Sequence, residues 1–409
     1  MTSDSHGKSP WVWLVGGGEM QLPMIEEIKR RGLKALVTDG NPYCPGARMA
    51  DAFFNVSTYD IDGHLRLAEV LSLEIVGVLT VAADVGVTVS ALAERLGLRA
   101  CSLNAAAKAA NKVNMRLLTN PYIQNHPWFL VVGPGMTAEK VWKDWNKYFS
   151  RAQPCVIKAA DNSGSRGMTI VRKKEDLPGA IERARKANRY DNRILVEELL
   201  SGPEIAVDTF IVDGEARVIN VAERYFHRPG VEAGHVNPGR ADDEIEEIAS
   251  EYAKALGVTE GPFKLDLIND PRYGWVVLET ATRLSGGFDH MYTAKLGPRK
   301  DITGFMLDYA IGERLDWRKV EKKRKLYAAC YSPELPGGKL IGLLWNGQPE
   351  LPDHVFVRYG NVGKLNDSAS RKVFVIDTGE TGGEAWTNAR RKAQALEAVY
   401  ASGMVVPLR

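Results

Sequence analysis

The chain has 409 residues, 44% of them hydrophobic, and its 53 basic and 51 acidic residues leave a formal net charge of +2. That length exceeds one ordinary core and calls for two or three globular domains, while charges interspersed rather than blocked exclude the basic footprint of a nucleic-acid binder. Cys44, Cys101, Cys155 and Cys330 stand far apart with no Cys-x-x-Cys pair, the first ten residues lack an apolar h-region and no run of about 18 apolar residues occurs, so a cytoplasmic, non-membrane protein with reduced thiols is expected.

From Trp11 to Val15 runs an apolar stretch, followed by Gly16-Gly17-Gly18, an amphipathic segment to Arg31, and a second apolar run, Ala35 to Val37, ending at Asp39. This is strand, turn, helix, strand. The alternation continues through Ala52 to Val56, a helical stretch near Leu65 to Leu71, Ile75 to Leu79, and a helix from about Gly86 to Leu96. Such units predict a parallel sheet with helices on both faces. The glycine triplet between strand and helix could cradle a phosphate, but a dinucleotide fingerprint needs another glycine where Gln21 stands. Asp39 is the one feature favouring a nicotinamide enzyme, against the plainer reading of a tight turn.

Beyond Asn104 the alternation breaks. A helical segment with Lys108 and Lys112 leads to Pro121, Pro127 and Pro134. Strand-like runs follow at Val156 to Lys158, Met168 to Val171, Ile194 to Glu197 and Ile205 to Val212, with helices at Glu175 to Ala187 and Asp242 to Leu256. Strands in longer runs with segregated helices indicate an α+β domain after the α/β one. The last stretch, from about Lys325, has short strands punctuated by Pro336-Gly337-Gly338 and Gly360, then a helix from about Glu384 to Ala401.

The chemistry concentrates in the middle of the chain. Lys158 ends a strand, and the loop Asp161-Asn162-Ser163-Gly164-Ser165-Arg166-Gly167 joins it to the next strand. A Gly/Ser hairpin tip can fold its backbone donors over phosphates while a lysine adds a point charge. Downstream, Asp266 and Glu279 close two consecutive strands, Phe263 to Ile268 and Trp275 to Glu279, with Arg283 shortly after. Two carboxylates on neighbouring strands suit magnesium held against a polyphosphate.

In order and spacing these segments, from about Trp11 to Asp316, resemble the ATP-grasp superfamily, including its L-amino acid ligase and biotin carboxylase-like branches. The resemblance implies a Rossmann-like preATP domain over residues 1–103, an ATP-grasp domain over 104–320 with a hairpin subdomain at about 120–196, and a C-terminal lid over 321–409. It assigns ATP contacts to Lys112, Lys158, Ser163, Gly164, Ser165 and Gly167, adenine contacts to the Glu197-Glu198-Leu199-Leu200 segment, and the ribose to Glu204. Asp266 and Glu279, thirteen positions apart, match the paired magnesium ligands; manganese could substitute. Lys158 and Arg283 take the catalytic roles, and Gly17, Gly18, Glu19, Arg224, His235, Arg283, Ser285 and Gly286 form the substrate set, with a substrate-covering loop expected around Ala222 to Pro238.

One departure stands out. The usual Glu-x-Asn-x-Arg signature is Glu279-Thr280-Ala281-Thr282-Arg283 here, so Ala281 replaces the asparagine that commonly helps hold a second magnesium, leaving Thr280, Thr282 or water to substitute. The implied activity is carboxylate–amine ligation through an acyl phosphate, with small-molecule substrates, amino acids foremost, no nucleic-acid or membrane partner, and a homodimer as the family-level assembly. A bicarbonate- or carbamoyl-activating carboxylase would share these residues. A nucleotide-binding regulatory module and an NAD-dependent oxidoreductase are the readings from other classes.

Overall fold

The computed structural model describes residues 9–408 apart from 121–122, 124–125, 149–153, 241–243, 364, 366 and 368–369. Pro121 and the expected start of a helix at Asp242 lie outside the described residues. Near the N-terminus, β1 (Trp11–Val15), β2 (Lys34–Thr38), β3 (Ala52–Phe54) and β4 (Ile75–Leu79) form a parallel sheet in the order β3-β2-β1-β4. Parallel strands covered on both faces read as continuous apolar runs, which is why β1 is buried over four of its five positions. Val12, Leu14, Val37 and Leu79 pack on one face against Met24, Ile25 and Ile28 of helix Leu22–Arg30. Trp13, Val15, Leu36 and Val78 point the other way, toward Leu65 and Leu67 of helix Ile61–Val70 and Leu92 of helix Gly86–Leu96.

The next unit is an antiparallel sheet of β5 (Phe129–Val132), β6 (Cys155–Ala159), β7 (Thr169–Val171) and β8 (Ile194–Glu198), ordered β5-β8-β6-β7. Helices Ala138–Tyr148 and Leu177–Ala187 cover it through Val141, Trp145, Leu177 and Ile181. Neither β5 nor helix Ala138–Tyr148 was expected from the sequence. Pro127 and Pro134 bracket the strand closely, so breaker residues hid a short apolar run between them.

A long antiparallel sheet follows, built from β9 (Glu204–Val212), β10 (Glu215–Arg228), β11 (Val231–Asn237), β12 (Gly261–Asp270) and β13 (Gly274–Ala281). The chain then supplies β14 (Tyr327–Tyr331), β15 (Gly338–Trp345), β16 (Val355–Val357), β17 (Gly360–Val362), β18 (Val373–Gly379), β19 (Leu396–Tyr400) and β20 (Val405–Pro407). The eight-stranded order is β13-β12-β9-β10-β11-β14-β18-β16, so the sheet runs without a break from the middle of the chain into its C-terminal part. The remaining C-terminal strands make a smaller sheet, β17-β15-β19-β20. Between the two sheets, Ala385, Ala389 and Ala393 of helix Gly382–Gln394 fill the core.

Two expectations are corrected here. The segment Ala222 to Pro238, read as a loop, is mostly the β10–β11 hairpin, whose register pairs Glu223 with Val236 and Arg224 with His235. Its inward-facing charges obscured the strand alternation, because polar side chains there line a cavity instead of solvent. The final helix, expected to reach Ala401, stops at Gln394, and Leu396–Tyr400 is a strand paired with β15. Pairing with a sheet already formed overrides a helical pattern in a short segment.

Candidate active site

Residues of the β5–β8 sheet and of the long sheet together line a cavity of about 780 Å³. Val156 and Ile170 line one wall and Ile268 and Leu278 the other, and the connecting Glu198-Leu199-Leu200-Ser201 segment closes the end. This part of the cavity is lined largely by apolar side chains. Deeper in, the lining becomes charged, with Lys112, Lys158, Glu204, Arg224, Lys264, Asp266, Glu279 and Arg283 converging.

Local structure explains each placement. Asn111 caps helix Lys112–Thr119, its side chain accepting from the Asn114 N–H at 3.0 Å, so Lys112 occupies the first helical position and projects from the helix start. Lys112 Nζ donates to the Asn162 carbonyl at 2.5 Å and lies 3.4 Å from Glu279 Oε1, tying the hairpin tip to the long sheet. In that tip Gly164, Ser165 and Gly167 all have positive φ. Gly167 also packs against the helix behind it, where an added Cβ would lie 2.4 Å from the Ala187 side chain. Ser163, Gly164 and Ser165 line the cavity, whereas Gly167 is absent from its lining and shapes the turn.

Lys158 Nζ sits 2.5 Å from Glu197 Oε2, and Arg116 Nε, four residues after Lys112, is 2.5 Å from Glu197 Oε1. Burial raises the Glu197 carboxyl, but Arg116 and Lys158 outweigh it and hold it down at about 2. Two cations on one carboxylate leave a net positive charge at the Lys158 end, which faces the cavity. The Glu197 side chain is therefore committed to this triad, and only its backbone is left for a nucleotide. Glu198 is likewise held, by Arg272 and by Tyr273 Oη at 3.0 Å.

Asp266 and Glu279 are direct partners across β12 and β13. A bulge follows them: Leu267 pairs with Val277, so Leu278 is an extra residue, and both Leu278 and Glu279 line the cavity. Asp266 Oδ2 is 2.6 Å from Lys264 Nζ and 3.6 Å from Arg224, while its buried Oδ1 has no hydrogen-bond partner. A buried carboxylate oxygen without a donor is costly in itself and fits a cation ligand. No cluster of three His, Cys, Asp or Glu residues suited to a metal occurs among the described residues. Magnesium borrowing its other ligands from phosphate and water needs no such cluster, so the residues present fit it.

Around the far end of the cavity, Arg224 lies 3.5 Å from Glu204 and 3.3 Å from Glu232, and Arg371 is 3.4 Å from Glu232. Burial raises Glu204 above the ordinary carboxylate range despite Arg224. His235 is buried on β11, 3.2 Å from Thr293 Oγ1 and 3.8 Å from Glu232. Ser285 donates its N–H to Asp208 at 2.6 Å, and Gly286 and Gly287 follow it along the wall. Arg283 lies 3.6 Å from Asp84, and its buried Nε has no partner.

The N-terminal glycines stand apart. Gly17, Gly18 and Glu19 do not line this cavity, although the next residue, Met20, does; Glu19 lies 3.7 Å from Arg358 at its edge. Gly17 donates to Asp39 Oδ2 at 2.8 Å, and an added Cβ there would lie 2.5 Å from Cys44 Sγ. Asp39 thus fastens the turn, which removes the feature favouring a dinucleotide. Thr280 donates to the Ala109 carbonyl at 2.9 Å, and a Cβ on Gly86 would fall 2.4 Å from Thr282 Oγ1, so both threonines turn away from Asp266 and Glu279. Sequence reading missed Asp84, Arg116, Lys264, Glu232 and Arg371. Lys264, two strand positions before Asp266, was findable from the two-residue alternation alone; Arg371 arrives from a distant segment with no local signal.

Comparison with known proteins agrees with this architecture. Residues 151–290 match the model of the ATP-grasp domain. A D-alanine–D-alanine ligase of Flavobacterium johnsoniae is 30% identical over 109 residues, 25% of this chain and 33% of its own length, so the chain is matched to about a third of that relative. Among solved structures, the L-amino acid ligase from Bacillus licheniformis superposes with a TM-score of 0.76 at 18% identity, covering 96% of this chain and 99% of that one. The biotin carboxylase domain of 2-oxoglutarate carboxylase from Hydrogenobacter thermophilus, in complex with magnesium ADP and bicarbonate, gives 0.73 at 16% identity over 99% and 92%. Over residues 151–290 the chain is similar to the ATP-grasp domain, and its fold is the ATP-grasp fold.

Proposed function

We propose that this protein is an ATP-dependent carboxylate–amine ligase that forms an amide or peptide bond through an acyl phosphate and releases ADP and phosphate. The arrangement that carries this reading is the opposed pair Asp266 and Glu279, with a partnerless carboxylate oxygen, facing Lys112 and Lys158 at the polar end of an apolar slot. The slot between Val156, Ile170, Ile268 and Leu278 suits a purine, with the backbone of Glu197 to Leu200 at its edge and Glu204 placed for the ribose. Ser163, Gly164 and Ser165 cover the phosphate chain. Magnesium on Asp266 and Glu279, or manganese in its place, would neutralise charge on the phosphates.

An amine does not displace hydroxide from a carboxylate at a useful rate, and phosphorylation supplies the leaving group. Arg283, fixed by Asp84 and with its Nε free, orients the substrate carboxylate toward the γ-phosphate. Lys158, left with uncompensated charge by the Arg116–Glu197 pair, stabilises the transferred phosphoryl group. The substrate end is lined by Arg224, Glu232, His235, Ser285 and Gly286, and this mix of acid and base suits an amino acid with groups of both charges. Gly17, Gly18 and Glu19 belong behind this wall, with Arg358 as their link to it.

A carboxylate labelled on both oxygens with heavy oxygen tests the reaction: one label is expected in the phosphate released after amine attack. Unlabelled phosphate, or a phosphorylated protein trapped by acid quench, overturns it. The biotin carboxylase likeness supports a second reading, bicarbonate activation, which predicts ADP release with bicarbonate and no added amino acid. We further place residues 1–103, 104–320 and 321–409 as preATP, ATP-grasp and lid parts of one cytoplasmic enzyme. The four buried free cysteines support that compartment. No helix among the described residues is long and apolar enough to cross a membrane. A homodimer is the expected assembly, in line with the dimer of the Hydrogenobacter thermophilus neighbour, and sedimentation checks it.

A further inference from the structure

Lys264 and Ala281 are cross-strand partners on β12 and β13, beside the partners Asp266 and Glu279. Residues two apart on a strand share a face, so the four positions form one patch on the cavity side of the sheet. Ala281 contributes no ligand atom, and Thr280 and Thr282 turn elsewhere. Into the gap reaches a buried ammonium: Lys264 is 9% exposed and its Nζ lies 2.6 Å from Asp266 Oδ2. Arg224 takes the same oxygen at 3.6 Å, and Lys112 is 3.4 Å from Glu279 Oε1. Asp266 is thus divided, with Oδ2 committed to fixed side-chain cations and Oδ1 free.

We infer that Lys264 is a built-in cation standing where the asparagine-bearing pattern holds a second metal ion, so that this chain binds one divalent ion per nucleotide rather than two. The inference rests on the ATP-dependent reading above. An ammonium is a compact charge with three donors; Asp266 takes one, leaving the others for a phosphate oxygen. With Asp266 Oδ1 and Glu279 serving the first ion, a second divalent ion would find no further protein oxygen in this patch and would sit against the cations of Lys264, Arg224 and Lys112. Lys264 contacts the phosphate chain directly in this scheme, replacing a diffusible charge with a covalently tethered one.

Counting manganese tests it. With a non-hydrolysable ATP analogue at saturation, equilibrium dialysis of the wild-type protein is expected to give one manganese per chain, with the electron paramagnetic resonance spectrum of an isolated ion. Lys264→Arg and Ala281→Asn alone keep the count at one, because a cation still fills the position. The double variant Lys264→Ala with Ala281→Asn, folded by circular dichroism, is expected to bind two and to show the spectrum of a coupled pair. Two manganese ions in the wild type overturn the inference whether or not the double variant folds. So does a second ion in Ala281→Asn alone, or a single ion in the folded, analogue-bound double variant. Wild-type protein that takes up no manganese with the analogue instead removes the nucleotide reading, and the inference falls with it.

Discussion

Glu197 shows how much of this site is built from charges that never meet solvent. Its folded carboxyl, held at about 2 against an ordinary 4.5, stabilises the protein fully above about pH 4.5, and that contribution is lost as pH falls toward 2. Arg116→Met leaves the carboxylate with Lys158 alone and is expected to cost about 3–5 kcal/mol at neutral pH, the usual result of breaking a buried pair. Chemical denaturation at pH 7 and pH 4 checks both the loss and a flatter acid limb. For turnover, Lys158→Ala and Glu279→Gln are each expected to lower kcat on the order of 100-fold, about 3 kcal/mol, with unchanged circular dichroism. Near-native rates in both would refute the phosphate-site assignment. Asp208 works in the opposite sense: burial and neighbouring Asp289 push it up to about 7, so the folded state holds a proton that the unfolded state releases above about 3.8. Stability from this group therefore declines as pH rises from about 4 to 7, and Asp208→Asn should remove that part of the decline in a melting-temperature series.

At the level of elements, the turn between β6 and β7, which we propose covers the phosphates, is polar and glycine-rich, anchored by side chains rather than by a core. Asn162 receives Lys112 through its carbonyl and Arg166 Nε through its side chain at 2.7 Å. Such a segment opens at low free-energy cost, so Ser163 to Gly167 should exchange amide hydrogen faster without nucleotide than with an ATP analogue. Equal protection in both states would contradict a phosphate-covering role. Gly167→Ala combines a φ of +75° with a contact at 2.4 Å to Ala187, and is expected to destabilise by about 1–3 kcal/mol, read from thermal unfolding.

Across the whole molecule, the parallel-sheet unit and the hairpin unit meet through Arg189. Its Nη2 donates to Tyr59 Oη at 2.7 Å, its guanidinium lies over the Tyr59 ring at 3.9 Å, and Asp84 is 3.9 Å from Nη1. Asp84 also hydrogen-bonds with Ser163 and faces Arg283, and these partners keep its carboxyl below the ordinary range although burial raises it. One acid from the β4–helix turn thus touches both Arg283 and the hairpin tip at Ser163. Arg189→Ala should release the hairpin unit, raising KM for ATP several-fold and speeding exchange at Asp161 to Met168, with a smaller effect on kcat. Unchanged KM and unchanged exchange would show that the contact does not govern closure.

The linear sequence determined the parts of this protein whose cause is local. Buried strands in a parallel sheet must be apolar throughout, so β1, β2 and β4 were legible; Lys158, the Gly/Ser turn, Asp266, Glu279 and Arg283 stood out because their types and order suit phosphate and magnesium chemistry, and the structure brings them to one cavity. Only the tertiary structure decided what these groups do for one another. It turned the expected loop at Ala222 to Pro238 into a strand hairpin, since side chains that looked exposed face a cavity made by a second sheet. It spent Asp39 on the Gly17 turn and the Glu197 side chain on Arg116 and Lys158. It also set Lys264 opposite Ala281, a juxtaposition fixed by strand register, because hydrogen-bonded pairing across β12 and β13 brings together residues that sequence separation keeps apart.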